Sequence, residues 1–175
     1  MIKLSPPLEA KMIKKLKIGD RVLINGKIYV ARDSAHKLFG NKPPFPTEGQ
    51  VLFYASPTPA RKDQVIGSIG PTTASRMDGF VLPLLKLGLK VMIGKGKRSD
   101  EVKALIKKYG AVYFVVPGGA AASLSKHVKR STVLAYPELG PEAVLELEVL
   151  DFPAIVAIDS KGADLFEVGK KAYHK

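Results

Sequence analysis

Five residues, Arg32, Thr72, Thr73, Arg76 and Lys95, have side chains and local contexts that suit binding of a small anion. Arg32 stands in VARDSAH, at the end of an apolar run and just before a helix start. In GPTTASRMD, Gly70 and Pro71 shape a turn, Thr72 and Thr73 present hydroxyls and backbone N–H groups where a helix begins, and Arg76 falls in its first turn. Lys95 lies between two glycines in MIGKG, directly after a strand. A guanidinium forks onto a carboxylate through two hydrogen bonds, and a helix start offers free N–H donors and a favourable dipole. The set suits a dianionic small molecule. Residue type alone would equally suit phosphate or no ligand, with Arg32 and Arg76 as ordinary salt-bridge partners of Asp33 and Asp78.

Other chemistries fail on spacing. The glycine-rich stretches GSIGPTT, GKGKRS and PGGAAAS invite comparison with phosphate-binding loops. A P-loop ending at Gly94-Lys95 would need its first glycine where Leu89 stands, and Gly96 occupies the Ser/Thr position. The dinucleotide fingerprint fails at Ser99, which stands where its third glycine belongs. His36, His127 and His174 are far apart, and none has a His or Glu three or four residues on to form a metal pair, so surface or structural roles are expected. No G-x-S-x-G elbow offers a hydrolase nucleophile.

The elements that must position the five residues follow from periodicity. DRVLINGKIYV, residues 20–30, reads as a hairpin turning at Asn25-Gly26, and a helix from Asp33 to Phe39, capped by Asp33, ends at Gly40. After the proline-rich NKPPFPTEG, three strand–loop–helix units follow. VLFYASP precedes a helix from Thr73 to Leu87 that Pro83 should kink or shorten; KVMIG precedes one from Ser99 to Tyr109; AVYFVV precedes one from about Ala120 to His127. Such alternation predicts parallel strands with crossover helices, whose C-terminal loops converge on one sheet edge. AVLELEVLDF alternates apolar and polar, and PAIVAIDSKGADLFEV reads as a hairpin turning at Asp159 to Gly162. The expectation is one mixed α/β domain over residues 1–175, with hairpins at both ends and βαβ units in the middle.

Composition narrows the partners. Lys and Arg number 28 against 16 Asp and Glu, a net charge of +12 that favours anionic partners: a small anion, an acidic subunit or nucleic acid. Few aromatics interleave with the lysines, so the stacking half of a single-strand-binding signature is missing, and a solubilising lysine surface explains much of the excess. With no cysteine, the chain holds no disulfide and cannot by itself ligate an iron–sulfur cluster through thiolates. No apolar run approaches the roughly 20 residues of a membrane span and the N-terminus lacks a signal-peptide pattern, so a cytoplasmic protein is expected.

Taken in order, VARDSAH, YASPTPA, GSIGPTTASRMD, MIGKG, VVPGGAAA and ELEVLDFPAIVAIDSKG resemble the C-terminal domain of class I fumarate hydratases. In two-subunit members, and in L(+)-tartrate dehydratases, this region is a separate β subunit. The resemblance runs from Gly19 to about Gly169 and is most specific in GPTT-x-x-RMD combined with GKG. It implies a swivelling β/β/α domain. It also implies a cysteine-bearing α subunit that ligates a 4Fe–4S cluster, with the basic segment 1–18 available to pack on that partner. The family's substrate-contacting residues fall on Arg32, Thr72, Thr73, Arg76 and Lys95, with Thr72 at the position associated with proton transfer. The implied reaction is hydration of fumarate to L-malate, with dehydration of tartrate to oxaloacetate as the alternative. A non-catalytic basic domain that binds anions or nucleic acid is a more distant third.

Overall fold

The computed structural model describes residues 1–116 and 119–173. In chain order it contains β1 (Ile2–Leu4), α1 (Ala10–Ile13), β2 (Arg21–Val30), α2 (Asp33–Phe39), β3 (Val51–Phe53), β4 (Ala55–Pro57) and β5 (Ile69–Pro71). A 3₁₀ segment (Ala74–Phe80) leads into α3 (Val81–Lys86). Then come β6 (Val91–Gly94), α4 (Asp100–Tyr109), β7 (Val112–Val115), α5 (Ala121–Ser125), β8 (Val128–Ala135), β9 (Val144–Ile158) and α6 (Leu165–Tyr173).

Strands β2, β3, β6 and β7 run parallel, as the alternation of strands and helices predicts. The 15-residue β9 is antiparallel to β7 on one side and to β2 on the other. The five strands therefore close into a ring, with β1 and β8 paired outside it on β2 and β9. Both faces of β3, β6 and β7 are covered, which is why they read as continuous apolar runs rather than alternating ones. Val51, Phe53, Val91, Ile93, Val112 and Phe114 pack in one core cluster with Ile28 and Phe152. The intervening Leu52, Met92 and Tyr113 face the opposite way, into a second cluster with residues of α2, α3 and α4. The mixed α/β class expected from the sequence is the class observed. Among the described residues no helix is long and apolar enough to cross a membrane.

Two local expectations are corrected. Asn25-Gly26 is not a hairpin turn: β2 runs straight through it. Asn25 instead receives the Asp151 N–H at 2.9 Å and donates to Asp151 Oδ1 at 3.2 Å, where an extra residue in β9 makes a bulge. The positive φ of Gly26 and of Asp151 serves that bulge, so the dipeptide's conformational freedom is used to bend a paired strand. At the other end the turn at Asp159 to Gly162 forms, but its return strand is one bridge, Ile158 to Asp164. There Asp164 accepts the Phe166 N–H at 2.9 Å and starts α6, so helix capping replaces the second strand.

The helices follow their end signals more closely. Ser99 caps α4 by accepting the Val102 N–H, and Gly110 ends it in the left-handed region. The helix expected from Thr73 to Leu87 is a 3₁₀ turn followed by α3, which places Pro83 in the first turn, where no N–H is required. The helix expected from Ala120 to His127 shortens to α5. The N-terminal segment sends Leu4, Leu8, Ile13 and Leu16 into the domain's own core.

Phe53 and Phe152 meet edge to face inside the ring, with centroids 5.4 Å apart. Phe53→Ala is expected to lower unfolding free energy by about 3–5 kcal/mol, read as a drop in the urea midpoint at unchanged slope.

Candidate functional site

The four parallel strands deliver their C-terminal ends to one edge, and four loops leave from there. Arg32 follows β2 as the N-cap residue of α2, and Tyr54 follows β3. The β4–β5 ribbon then carries the chain to Thr72 and Thr73, while Lys95 follows β6. The threonine turn and the lysine loop are joined by backbone: Lys95 N–H donates to the Thr72 carbonyl at 3.0 Å, and Ala74 N–H donates to the Lys95 carbonyl at 2.8 Å. A further bond at 2.7 Å, from Thr72 N–H to the Tyr54 carbonyl, ties the turn to the end of β3. Residues 72 and 95 are thus neighbours because two loop edges pair as short strands do.

Arg32 and Arg76 converge on one carboxylate. Arg76 Nη2 donates to Asp33 Oδ2 at 2.7 Å, and Arg32 Nε lies 3.7 Å from Asp33 Oδ1 and 3.3 Å from Glu142 Oε1. Arg32 Nη1 also donates to Ser56 Oγ at 2.9 Å, which links it to the β4–β5 ribbon. Burial would raise the Asp33 carboxyl, but the Arg76 hydrogen bond and the charges of Arg76 and Arg32 outweigh it and hold it below the ordinary carboxylate range. Asp33 does not cap α2 as expected; its carboxylate serves the arginines instead. Asp78, the other expected partner of Arg76, pairs with Arg98.

The structure therefore brings all five sequence-derived residues to one edge, in two groups: Arg32 and Arg76 around Asp33, and Thr72, Thr73 and Lys95 along the paired loops. Lys95 is exposed and forms no ion pair among the described residues. Beside it opens a cavity of about 530 Å³ lined largely by small or apolar residues, including Gly70, Pro71, Gly96, Val116 and Phe166; Arg32 and Arg76 lie outside it. The VVPGGAAA stretch borders this region, with residues 117 and 118, like His174, outside the described residues.

Beneath the edge lies a layer that motif reading missed. His36 is buried among Phe39, Tyr54 and Phe80, and its Nδ1 lies 2.6 Å from the Arg32 carbonyl. A carbonyl can only accept, so Nδ1 carries the proton. Among the described residues, the buried side-chain atoms without a hydrogen-bond partner are Arg32 Nε, Asp33 Oδ1, His36 Nε2, Tyr54 Oη and Arg98 Nη2, all at this edge or directly below it. Such clustering is unusual in a packed interior, where buried polar groups are paired with protein, ordered water or a bound ion. Ser56 and Glu142 had no signature of their own; only the YASP motif hinted at the first.

A family model described as the fumarase C-terminus matches residues 1–169. The chain belongs to that family. It is 44% identical over 181 residues to a Methanocaldococcus jannaschii protein provisionally named L(+)-tartrate dehydratase subunit beta, covering 96% of this chain and 93% of that protein. It is 40% identical to fumarate hydratase 2 of Leishmania major and 39% identical to the aerobic class I fumarate hydratase of Escherichia coli K12. Those matches cover 89% and 86% of this chain but only 29% of each relative, so the chain spans less than a third of those fumarate hydratases. An iron–sulfur cluster does not fit this chain's own side chains. It has no cysteine, and the described residues hold no group of three or more His, Asp or Glu placed for a metal.

Burial, reinforced by the Arg98 charge, holds the His36 imidazole below its ordinary range, against the opposing pull of the Arg32 carbonyl and Asp33. The unfolded chain therefore takes up this proton first: stability is intact above the unfolded value of about 6.5 and falls as pH drops below it. Urea unfolding at pH 7.5 and 5.5 should show that loss in the wild type, and His36→Gln should show a smaller one.

Proposed function

We propose that this chain is the dicarboxylate-holding β subunit of a two-subunit hydro-lyase. Its reaction is the reversible hydration of fumarate to L-malate. The observation that carries this reading is the gathering of two guanidinium groups near the Asp33 carboxylate, Arg76 hydrogen-bonded to it and Arg32 3.7 Å from it, beside a threonine turn and a Lys95 ammonium without an ion pair among the described residues. An edge that already seats the Asp33 carboxylate between Arg32 and Arg76 has the geometry to hold a carboxylate of a substrate. Arg32 and Arg76 fix the carboxylate groups, and Thr73 orients one of them. Lys95 offsets the negative charge that builds as a proton leaves the carbon next to a carboxylate. Thr72 places its Oγ1 near the reacting carbon, where a neighbouring carboxylate or cation would have to tune so weak a base.

The rest of the site comes from a partner. A 4Fe–4S cluster ligated by the cysteines of an α subunit supplies Lewis acidity toward the substrate's C–O bond when bound. This division is supported by the absence of cysteine here and by the subunit name of the archaeal relative. The near-complete mutual coverage with that relative favours one second reading, dehydration of L(+)-tartrate to oxaloacetate. Both substrates offer two carboxylates on a four-carbon frame, which the same cations serve.

Anaerobic co-expression with a cysteine-bearing α subunit, followed by assay on fumarate, malate and both tartrates, tests the reading. The purified chain alone should be inactive and the complex active; enzyme-like turnover by the lone chain would sink the two-subunit proposal. In the complex, Arg76→Ala should lower kcat/KM by about 100-fold without loss of assembly. Wild-type kinetics would remove Arg76 from the site. A salt-dependent shift of nucleic acid, insensitive to Arg76→Ala, would instead favour a basic binding domain.

A further inference from the structure

Among the described residues, Arg98 is the one cation at this edge whose side chain is wholly buried. Its Nε donates to Asp78 Oδ1 at 2.7 Å, and Asp78 Oδ2 accepts the Ser99 N–H at 3.1 Å. Asp78 thus ties the 3₁₀ turn that carries Arg76 to the loop that carries Lys95. The guanidinium lies between two aromatic rings, 5.3 Å from the centroid of Tyr54 and 5.1 Å from that of Tyr113. Both tyrosines also hold a site loop: the Tyr54 backbone carbonyl accepts the Thr72 N–H, and the Tyr113 ring hydroxyl donates to the Gly96 carbonyl at 2.8 Å. The packing is tight, for a Cβ on Gly94 would come within 2.9 Å of Ala74 Cβ and 3.1 Å of Tyr54 Cδ2.

A buried ion pair is weak grounds for stability, because a well-packed neutral pair often does as well. What the Arg98–Asp78 pair uniquely provides is a rigid, directional link between two loops that each carry a binding residue. We propose that Arg98 and Asp78 are positioning residues that set Lys95 against Thr72 and Arg76. The kinetic part of this inference rests on the hydro-lyase reading; the structural part does not.

The double variant Arg98→Met with Asp78→Asn removes both charges and leaves no buried ion unpaired. In the isolated chain, amide hydrogen exchange at Lys95 and Ala74, whose N–H groups hold the two loops together, should quicken at least 10-fold while β9 amides keep their wild-type rates. In the complex with its α subunit, kcat/KM should fall at least 10-fold at unchanged assembly. Wild-type exchange at Lys95 and Ala74 would overturn the proposal, as would faster exchange throughout the chain, which marks a general stabilising role. If the double variant does not fold, Arg98→Lys, which keeps a cation for Asp78 but loses the fork, is read on the same amides. A threefold or greater local increase supports positioning, and wild-type rates overturn it. If the wild-type complex turns over no dicarboxylate, the hydro-lyase reading fails while the exchange result still decides the role of the pair.

Discussion

The pairing of β2 with β9 along nearly its whole length is the interaction on which the rest depends. It closes the sheet into a ring, so that no parallel strand of the ring is left with an unpaired edge. Closure fixes the four parallel strands relative to one another, and their ends place Arg32, Tyr54 and Lys95 at one rim. Because β3, β6 and β7 are buried on both sides, a shift of one residue in any of them would exchange the two core clusters, which pins the register of the loops above. The rim is precise because the ring is.

On that rim the dominant problem is like charge. Arg32, Arg76, Lys95 and the buried Arg98 lie in one region of a chain that is already strongly basic. The structure answers with carboxylates from three distant parts of the sequence, Asp33, Asp78 and Glu142. The answer is incomplete: Arg32 Nε sits near two carboxylates without hydrogen-bond geometry to either, and Asp33 Oδ1 is buried without a partner. Three carboxylates against four cations leave the edge net positive, and Arg32 Nε is a donor to which an incoming anion could supply an acceptor.

Much of this was legible in the sequence, for identifiable reasons. Strands covered on both sides announce themselves as apolar runs, and α4 carries both of its end signals, Ser99 and Gly110, so the middle of the fold was readable. The five rim residues were readable because each sits in a short motif at the junction of a strand and a loop or helix. Longer-range features were not. Asn25-Gly26 has the local chemistry of a turn, and only Asp151, 126 positions away in the chain, makes it a bulge. Glu142 and Ser56 look like ordinary loop residues until the fold brings them to Arg32. Arg98 reads as one more charge in a lysine-rich loop, and its burial between Tyr54 and Tyr113 is a tertiary fact.

The Asp33 carboxylate has a further consequence. It is tethered to the chain one residue from Arg32, so it faces the two guanidinium groups at a high effective concentration. Any external acid must compete with this resident one. A monocarboxylate trades one contact for an equivalent contact and loses its freedom of motion in doing so. A dianion that can also reach Lys95 gains a second attachment that Asp33 cannot match. On the proposed reading the rim would discriminate by the number of anchoring points as well as by charge, with an acidic side chain of the protein itself setting the threshold.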